Sequence, residues 1–248
     1  MKKLIVYSYY EDDMSSVNLN FFLKNGYIND PNYQFIIMIN GEKCSVKIDE
    51  KTNLKIFKRQ NEGFDFGGWS DSLKKINYLE YGYFIFINST AIGPFVPRYI
   101  PKNITWVDLF ISKLDKTYKL CGPTINYLKT NKISDIPHLQ SYAFSTDLEG
   151  LKLLLSSGIF NVEKNIEKRK VIINHEIKMS DIMRKNNFKI YALQLSENMN
   201  SNKVEKPHDD IHYENYYYGE TLNPLEVLFL KRNRINNKIV KNYIQFNS

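Results

Sequence analysis

An α/β fold with a mostly parallel central sheet flanked by helices is the fold class that this sequence predicts. Short, largely apolar runs at 3–8, 33–39 and 83–87 are typical of strands that a parallel sheet buries on both faces. Segments with apolar residues at helical spacing alternate with these runs in the first half of the chain. Such alternation favours parallel strands joined by right-handed crossovers.

The first half shows the clearest element boundaries. The first predicted helix stops at Asn25 and Gly26, a helix C-terminal signal, and the second strand ends in a turn at Asn40 and Gly41. In the second helix Ser70 and Leu73 begin a one-turn spacing that continues to Ile76 and Asn77. The predicted strands are 3–8, 33–39, 54–58 and 83–87, and the predicted helices are 17–23 and 67–79.

The second half is less regular, although the whole chain is expected to form a single domain. An alternating pattern predicts one strand over 138–145, and Thr146 and Asp147 have the form of a helix cap. A Tyr-rich polar segment at 196–219 predicts a long loop. The remaining predictions are helices at 106–114, 146–156 and 171–185, strands at 118–121 and 189–193, an apolar run at 225–230 and a basic tail at 231–241.

Composition limits the function classes without choosing one. The chain has 248 residues, a net charge of +7, 18 Tyr and 15 Phe. The charge suits an anionic small molecule, a membrane surface or nucleic acid, although scattered lysines usually only solvate a surface. No stretch approaches the roughly 20 apolar residues of a membrane span, and the first apolar run is too short for a signal peptide. We expect a cytoplasmic protein in which Cys44 and Cys121 are reduced thiols.

The candidate ligand site lies where a buried strand ends. The run 84–87 is apolar, and it changes abruptly to Asn88, Ser89 and Thr90. Ligands of open α/β sheets bind beyond the carboxyl ends of the strands. A glycine-containing loop at 61–69 precedes the helix that leads to this strand. This loop is neither G-x-G-x-x-G nor a Walker sequence, so the common dinucleotide and P-loop sites are not predicted.

Six motifs occur in order over most of the chain, and together they resemble one family. They are FDFGGW (64–69), INSTAIGPFVP (87–97), KLCGPTI (119–125), HLQSYAFSTD (138–147), HEIKMS (175–180) and YGETLNPLEVLFLK (218–231). This pattern is similar to that of small GT-A-like glycosyltransferases related to rhamnan-synthesis and viral glycan-building enzymes. The resemblance covers about 54–231 and implies a GT-A-like, Rossmann-type fold that transfers a sugar from a UDP- or dTDP-sugar to a hydroxyl of a glycan acceptor.

The resemblance also divides the chain by role. It implies a nucleotide-sugar-binding half at 1–125 and an acceptor-binding half with a C-terminal tail at 126–248. Glu176 is the candidate general base of an inverting transfer, because a carboxylate must face the attacking hydroxyl. The predicted donor-binding residues are Tyr7, Ser8, Arg59, Asn61, Gly63, Asp65, Gly67, Gly68, Asn88, Ser89 and Thr90. The predicted sugar or acceptor residues are His138, Gln140 and Ser141.

Alternatives remain open for several of these residues. Glu176 also suits a structural acid in the first turn of a helix, and Asp65 suits a helix cap. Related enzymes hold Mn²⁺ or Mg²⁺ with Asp-x-Asp, which this chain lacks, so metal-independent transfer is also considered. His208 and Asp210 are weak metal candidates.

Other functions are less well supported by the sequence. A non-catalytic nucleotide- or sugar-binding module of the same fold is the main alternative. Lys231, Arg232 and Arg234 begin a basic tail that suits an anionic surface, a peripheral membrane contact or simple solvation. Nucleic acid is not an expected partner.

Overall fold

The computed structural model describes residues 1–130, 133–194, 210–217 and 219–246, and its centre is a seven-stranded mixed sheet. The strand order is β10-β6-β9-β4-β1-β2-β3. The sheet strands are β1 (Lys2–Tyr9), β2 (Tyr33–Asn40), β3 (Leu54–Arg59), β4 (Tyr81–Asn88), β6 (Tyr118–Gly122), β9 (Ala143–Asp147) and β10 (Lys189–Ala192). Two small antiparallel sheets lie outside it. One pairs β5 (Ala91–Ile92) with β11 (Leu230–Lys231), and the other pairs β7 (Ile125–Thr130) with β8 (Ile133–Leu139). The predicted α/β architecture is confirmed.

Helices cover both faces of the sheet. They are α1 (Ser15–Asn25), α2 (Phe64–Lys74), α3 (Trp106–Ile111), α4 (Leu148–Ser156), α5 (Lys168–Val171), α6 (Lys178–Lys185), α7 (Pro224–Val227) and α8 (Asn237–Phe246). Alternate residues of β1 supply the two cores: Ile5 and Tyr7 pack with α1 and α3, and Leu4 and Val6 with α2, α4 and α6. The predicted burial of β1 on both faces is therefore confirmed.

One strand departs from the expected parallel arrangement. β9 runs antiparallel to both of its neighbours, β4 and β6. The predicted single strand over 138–145 is wrong, because the chain leaves β8 at Leu139 and enters β9 at Ala143. The intervening Gln140–Tyr142 segment lies at the end of β4, where the Asn88 N–H donates to the Tyr142 carbonyl at 3.0 Å. The break places Ser141 beside the predicted ligand site.

Two helices begin earlier than the pattern indicated. α2 starts at Phe64 instead of 67, directly after Gly63, whose φ of 69° is left-handed. The helix predicted at 171–185 begins at Lys168 and contains a π-helical segment, Ile172–Ile177, between α5 and α6. Glu176 therefore lies in the middle of a continuous helical stretch. The interpretation of Glu176 as a first-turn acid is wrong.

The C-terminal segment packs back onto the domain. β11 pairs antiparallel with β5, and the Arg232 N–H donates to the Thr90 carbonyl at 2.8 Å. In α8, Val240 is fully buried and Ile239 and Tyr243 pack on the same apolar cluster. The apolar face of this basic helix is thus already covered. Among the described residues, no helix combines the length and apolar character needed to cross a bilayer.

Candidate functional site

A cavity of about 370 Å³ opens at the carboxyl ends of the central strands. One side, which we call the strand-end wall, consists of Asn40, Asp65, Asn88, Ser89 and Thr90. The opposite side, which we call the C-terminal wall, consists of Ser141, Lys168, Glu176, Lys231 and Arg234. The cavity therefore lies where ligands bind in open α/β sheets.

Two groups of hydrogen bonds hold the side chains of the strand-end wall. The Asn88 side-chain amide donates to Asp65 Oδ2 at 2.7 Å. Asn88 Oδ1 accepts from the Thr90 N–H at 2.9 Å and the Thr90 hydroxyl at 2.7 Å. Asn40 donates to Ser8 Oγ at 2.9 Å, and its own oxygen accepts from the Arg59 guanidinium at 3.0 Å. These side chains hold one another in place before any ligand arrives.

Asp65 is the carboxylate of the strand-end wall, and its environment disfavours ionisation. Withdrawal from water raises the pKa of Asp65 to about 6. The hydrogen bond from Asn88 opposes this shift, and the negative charge of Glu176 adds to it. The positive charges of Lys168 and Lys231 lower the pKa of Asp65. Groups of the two walls therefore interact electrostatically across the cavity.

The helical stretch at 168–185 supplies one face to the C-terminal wall. Lys168, Val171, Ile172 and Glu176 all line the cavity. On a regular α-helix both i+7, which is His175, and i+8, which is Glu176, would continue this face. The π-helical segment Ile172–Ile177 winds more slowly and so shifts the face toward Glu176. His175 instead points into the interior, where Nδ1 lies 2.7 Å from the Ile159 carbonyl oxygen.

Glu176 is held by the segment that separates β8 from β9. Its Oε2 accepts hydrogen bonds from the Ser141 N–H at 2.7 Å and the Ser141 hydroxyl at 2.5 Å. Glu176 is 9% exposed and faces the cavity. Two donors on one oxygen orient the carboxylate and leave the second oxygen for another partner. This geometry suits a positioned proton acceptor.

Behind the cavity, a buried polar chain fixes the position of Tyr142. The Asp210 carboxylate lies 2.7 Å from His212 Nδ1, and His212 Nε2 lies 3.1 Å from the Tyr142 hydroxyl. Burial would raise the pKa of Asp210, but the hydrogen bond to His212 and the positive charge of Lys231 hold this pKa well below its usual range. The pKa of His212 is lowered by burial. We interpret this chain as support for the 140–142 segment.

Three basic side chains reach the cavity from two remote parts of the sequence. Lys168 comes from the first turn of α5, and Lys231 and Arg234 come from β11 and the turn after it. In the described part of the chain, neither lysine has a carboxylate within 4.0 Å. Arg234 lies over the Tyr213 ring, with its Cζ 5.5 Å from the ring centroid.

Comparison with family models identifies the chain. The rhamnan synthesis protein F model matches residues 37–246, which is most of the sequence and includes every residue of both walls. The chain belongs to the rhamnan synthesis protein F family. Family membership supports a role in sugar transfer and agrees with the resemblance drawn from the six motifs. A search of curated proteins found no match.

One solved structure illustrates the likeness in chain path. It is the mannosyltransferase PcManGT from Pyrobaculum calidifontis in complex with GDP-Man and Mn²⁺, with a TM-score of 0.49 and 7% sequence identity. The match covers 77% of this chain and 54% of that one, so this chain spans about half the length of its structural neighbour. A likeness of this degree assigns no donor, metal or activity to this family member.

Seven predicted residues line the cavity. From the donor-binding set they are Asn61, Asp65, Asn88, Ser89 and Thr90. Ser141, predicted for the acceptor, and Glu176, predicted as the base, line it as well. The structure therefore brings the strand end, the loop and the proposed base together, although Glu176 follows Asn88 by 88 residues in the chain.

Arg59, Tyr7 and Ser8 do not reach the cavity. Arg59 Nε lies 2.7 Å from Asp71 Oδ2, and its guanidinium donates to the Glu62 carbonyl at 2.8 Å. Tyr7 is 1% exposed and packs against Phe22 of α1. Ser8 is completely buried. Ser8 and Arg59 hold Asn40 of the strand-end wall from behind, and Tyr7 is part of the core. The structure corrects the placement of these three side chains as donor contacts in this cavity.

None of the three predicted glycines lines this cavity, and each packs closely against protein, although Gly67 also borders a separate cavity beside Arg59. A Cβ on Gly67 would lie 2.2 Å from the Glu62 carbonyl oxygen, and a Cβ on Gly68 would lie 2.4 Å from Ser8 Oγ. Gly63 needs its left-handed φ, and a Cβ there would meet Val162 at 2.8 Å. Their absent side chains allow α2 and its preceding loop to pack closely, which corrects the predicted role.

Two predicted acceptor residues and one predicted metal ligand do not line the cavity: His138, Gln140 and Asp210. His138 is 3% exposed and lies on β8 opposite Asn126. Gln140 is buried and donates to Asp210 Oδ2 at 3.1 Å. Asp210 is therefore occupied by Gln140 and His212, behind the cavity. His208 lies outside the described residues.

Sequence reasoning missed two exposed rings at the cavity. Tyr10 follows β1 and is 47% exposed, and Phe64 opens α2 and is 36% exposed. Phe64 has a φ of 53°, a left-handed conformation that is uncommon for a bulky residue. An aromatic ring displayed on such backbone, next to the predicted glycine loop, is a signal that only the structure provides. Trp69, by contrast, is fully buried, and its indole N–H donates to the Ile87 carbonyl at 3.2 Å.

The turn after β4 does not fit a divalent cation. Asn88 Oδ1 already accepts two hydrogen bonds from Thr90, and its nitrogen is committed to Asp65. Hard cations prefer several carboxylate or carbonyl oxygens. Within the described residues, no three His, Cys, Asp or Glu side chains are arranged to hold a metal ion. We therefore assign no step to Mn²⁺ or Mg²⁺.

Proposed function

We propose that this chain is a glycosyltransferase that moves a sugar from a nucleoside-diphosphate donor to a glycan hydroxyl with inversion. The observation that carries the proposal is the position of Glu176, which faces the same cavity as Asn88 and Asp65. Membership of the rhamnan synthesis protein F family supports the sugar-transfer role. The choice between UDP-, dTDP- and GDP-sugars is left to experiment.

Each wall supplies a different part of the proposed reaction. Glu176 accepts the proton of the attacking hydroxyl, and Ser141 holds its carboxylate in position. Asp65 Oδ1 and the second N–H of the Asn88 amide, which the hydrogen bond between the two side chains does not use, provide an acceptor and a donor for hydroxyls of the donor's ribose or sugar. The exposed rings of Tyr10 and Phe64 offer flat faces for a base. Inversion requires the hydroxyl to attack opposite the leaving diphosphate.

The decisive experiment measures release of nucleoside diphosphate from a panel of nucleotide sugars in the presence of glycan acceptors. Replacing Glu176 with Gln keeps its shape but removes the proton acceptor, so we expect transfer to fall by about 10²- to 10⁴-fold. Affinity for the nucleoside diphosphate should stay within about twofold. Glu163→Gln, an exposed carboxylate outside the cavity, is the control. Full activity of Glu176→Gln would place the base elsewhere.

A non-catalytic nucleotide- or sugar-binding module is the second candidate, because the turn after β4 carries an amide and two hydroxyls instead of carboxylates. The same panel, run with and without Mn²⁺, separates the two functions. A module would bind nucleotide sugars and raise the melting temperature with saturation, but it would neither transfer nor hydrolyse them.

A further inference from the structure

The charges of the cavity are unevenly placed: the acids Asp12, Asp65 and Glu176 and the bases Lys168, Lys231 and Arg234 all line it, and the three bases lie on the C-terminal wall. These bases come from segments 63 residues apart in the sequence, and Arg234 Nε also lies 3.9 Å from Asp210 Oδ2. The two lysines have no ion-pair partner within 4.0 Å among the described residues. Unpaired cations that face a shared cavity form a site for an anion.

Folding stability does not account for Lys168. It occupies the first turn of a helix, where the helix dipole disfavours positive charge. The start of α5 has no side-chain cap hydrogen bond, and no acid among the described residues lies within 4.0 Å of the Lys168 ammonium. Lys170 in the same turn does not line the cavity. Lys231 is likewise held toward the cavity by the pairing of β11 with β5, next to the strand-end turn. Both positions are set by the fold and directed at the same space.

The spacing between cation and proposed base suits group transfer. Lys168 and Glu176 lie eight residues apart on one face of the helical stretch, which is roughly 12 Å along a helix axis. This distance leaves room for a sugar ring between a diphosphate at Lys168 and a hydroxyl at Glu176. The turn after β4 does not fit a divalent cation that could neutralise the diphosphate in place of Lys168.

We propose that Lys168 and Lys231, assisted by Arg234, hold the diphosphate of the donor directly, and that they neutralise it as it leaves without a divalent cation. This inference rests on the proposed function. In the transfer, the bond between the anomeric carbon and the outer phosphate oxygen breaks, and its electron pair stays on that oxygen. The acceptor oxygen bonds to the carbon, and its proton passes to Glu176. The lysines stabilise the charge gained by the diphosphate.

Calorimetric titration of the full chain with UDP, dTDP, GDP and pyrophosphate, in EDTA and in Mn²⁺, tests the inference. We expect at least one nucleoside diphosphate to bind in EDTA. Lys168→Ala and Lys231→Ala should each raise its Kd about tenfold or more. Lys170→Ala is the matched control, with the same charge in the same helical turn but outside the cavity, and its Kd should change by less than about twofold. Melting curves of each variant exclude misfolding.

The outcomes separate this inference from the function on which it rests. Binding that disappears in EDTA and returns with Mn²⁺ would overturn it, and so would a Lys168→Ala variant that binds like Lys170→Ala. Either result leaves the glycosyltransferase proposal intact. A wild-type chain that binds none of the probes under either condition contradicts the proposed function itself.

Discussion

The two walls of the cavity differ in how their side chains are satisfied. In the strand-end wall, Asn88 and Asp65 bond to each other at 2.7 Å, and Asn40 bonds to Ser8 behind it. In the C-terminal wall, Lys168 and Lys231 face the cavity without an ion-pair partner among the described residues. The side chains of the first wall are therefore held largely by one another, whereas the two lysines of the second wall are open to the charge of a ligand.

Disturbing the packing behind the strand-end wall should have the largest effect on stability. A Cβ at position 68 would lie 2.4 Å from Ser8 Oγ and 3.0 Å from Asn40 Oδ1. We expect Gly68→Ala to lower the free energy of unfolding by about 2–3 kcal/mol, because α2 must move away from β1. Urea denaturation measures this loss. Ser70→Ala in the same helix should stay within about 0.5 kcal/mol of wild type. Equal stability of the two variants would show that this wall adapts.

Removing the charge of Asp65 should have an intermediate effect on the free energy of unfolding, and this effect depends on pH. Because its pKa is raised to about 6, the folded state binds more protons than the unfolded state between about pH 4 and 6. Its contribution to stability is thus full below about pH 4 and is lost as the pH rises through 6. Asp65→Asn should stabilise the protein by about 1–2 kcal/mol at pH 7 and by almost nothing at pH 4.

Urea denaturation across this pH range checks the Asp65 prediction. Asp49→Asn, whose carboxylate is 73% exposed, serves as the control and should show no comparable pH-dependent gain. A variant of Asp65 that is less stable than wild type at pH 7 would mean that the carboxylate supports the fold. The strand-end wall would then owe its order to this charge.

A substitution in the C-terminal wall should have the smallest effect on stability. Lys168→Ala removes a cation from the first turn of a helix, where the dipole disfavours it. Stability should remain unchanged or rise by a few tenths of a kcal/mol, and thermal denaturation can detect a larger change. A loss above about 1 kcal/mol would give Lys168 a structural role. The contrast between the two walls would then fail.

Local sequence predicted four of the five side chains of the strand-end wall, but only Ser141 and Glu176 of the C-terminal wall. The change from apolar residues to Asn88 is visible in the sequence because a buried strand and its polar end are neighbours. Lys168 and Lys231 resemble any solvated lysine in the sequence. Nothing near Glu176 in the sequence indicates the π-helical segment that contains it. The alternating run at 138–145 does not indicate the break between β8 and β9, which positions Ser141.

By itself, the sequence determined the α/β class, the central strands and the place where the sheet meets a ligand. These features follow from periodicity and from polar residues at strand ends, which are properties of neighbouring residues. Only the tertiary structure decided that β9 runs antiparallel, that three glycines serve packing and that cations from two distant segments meet Glu176 across one cavity. Those outcomes depend on contacts between residues far apart in the chain, and such contacts leave no local pattern.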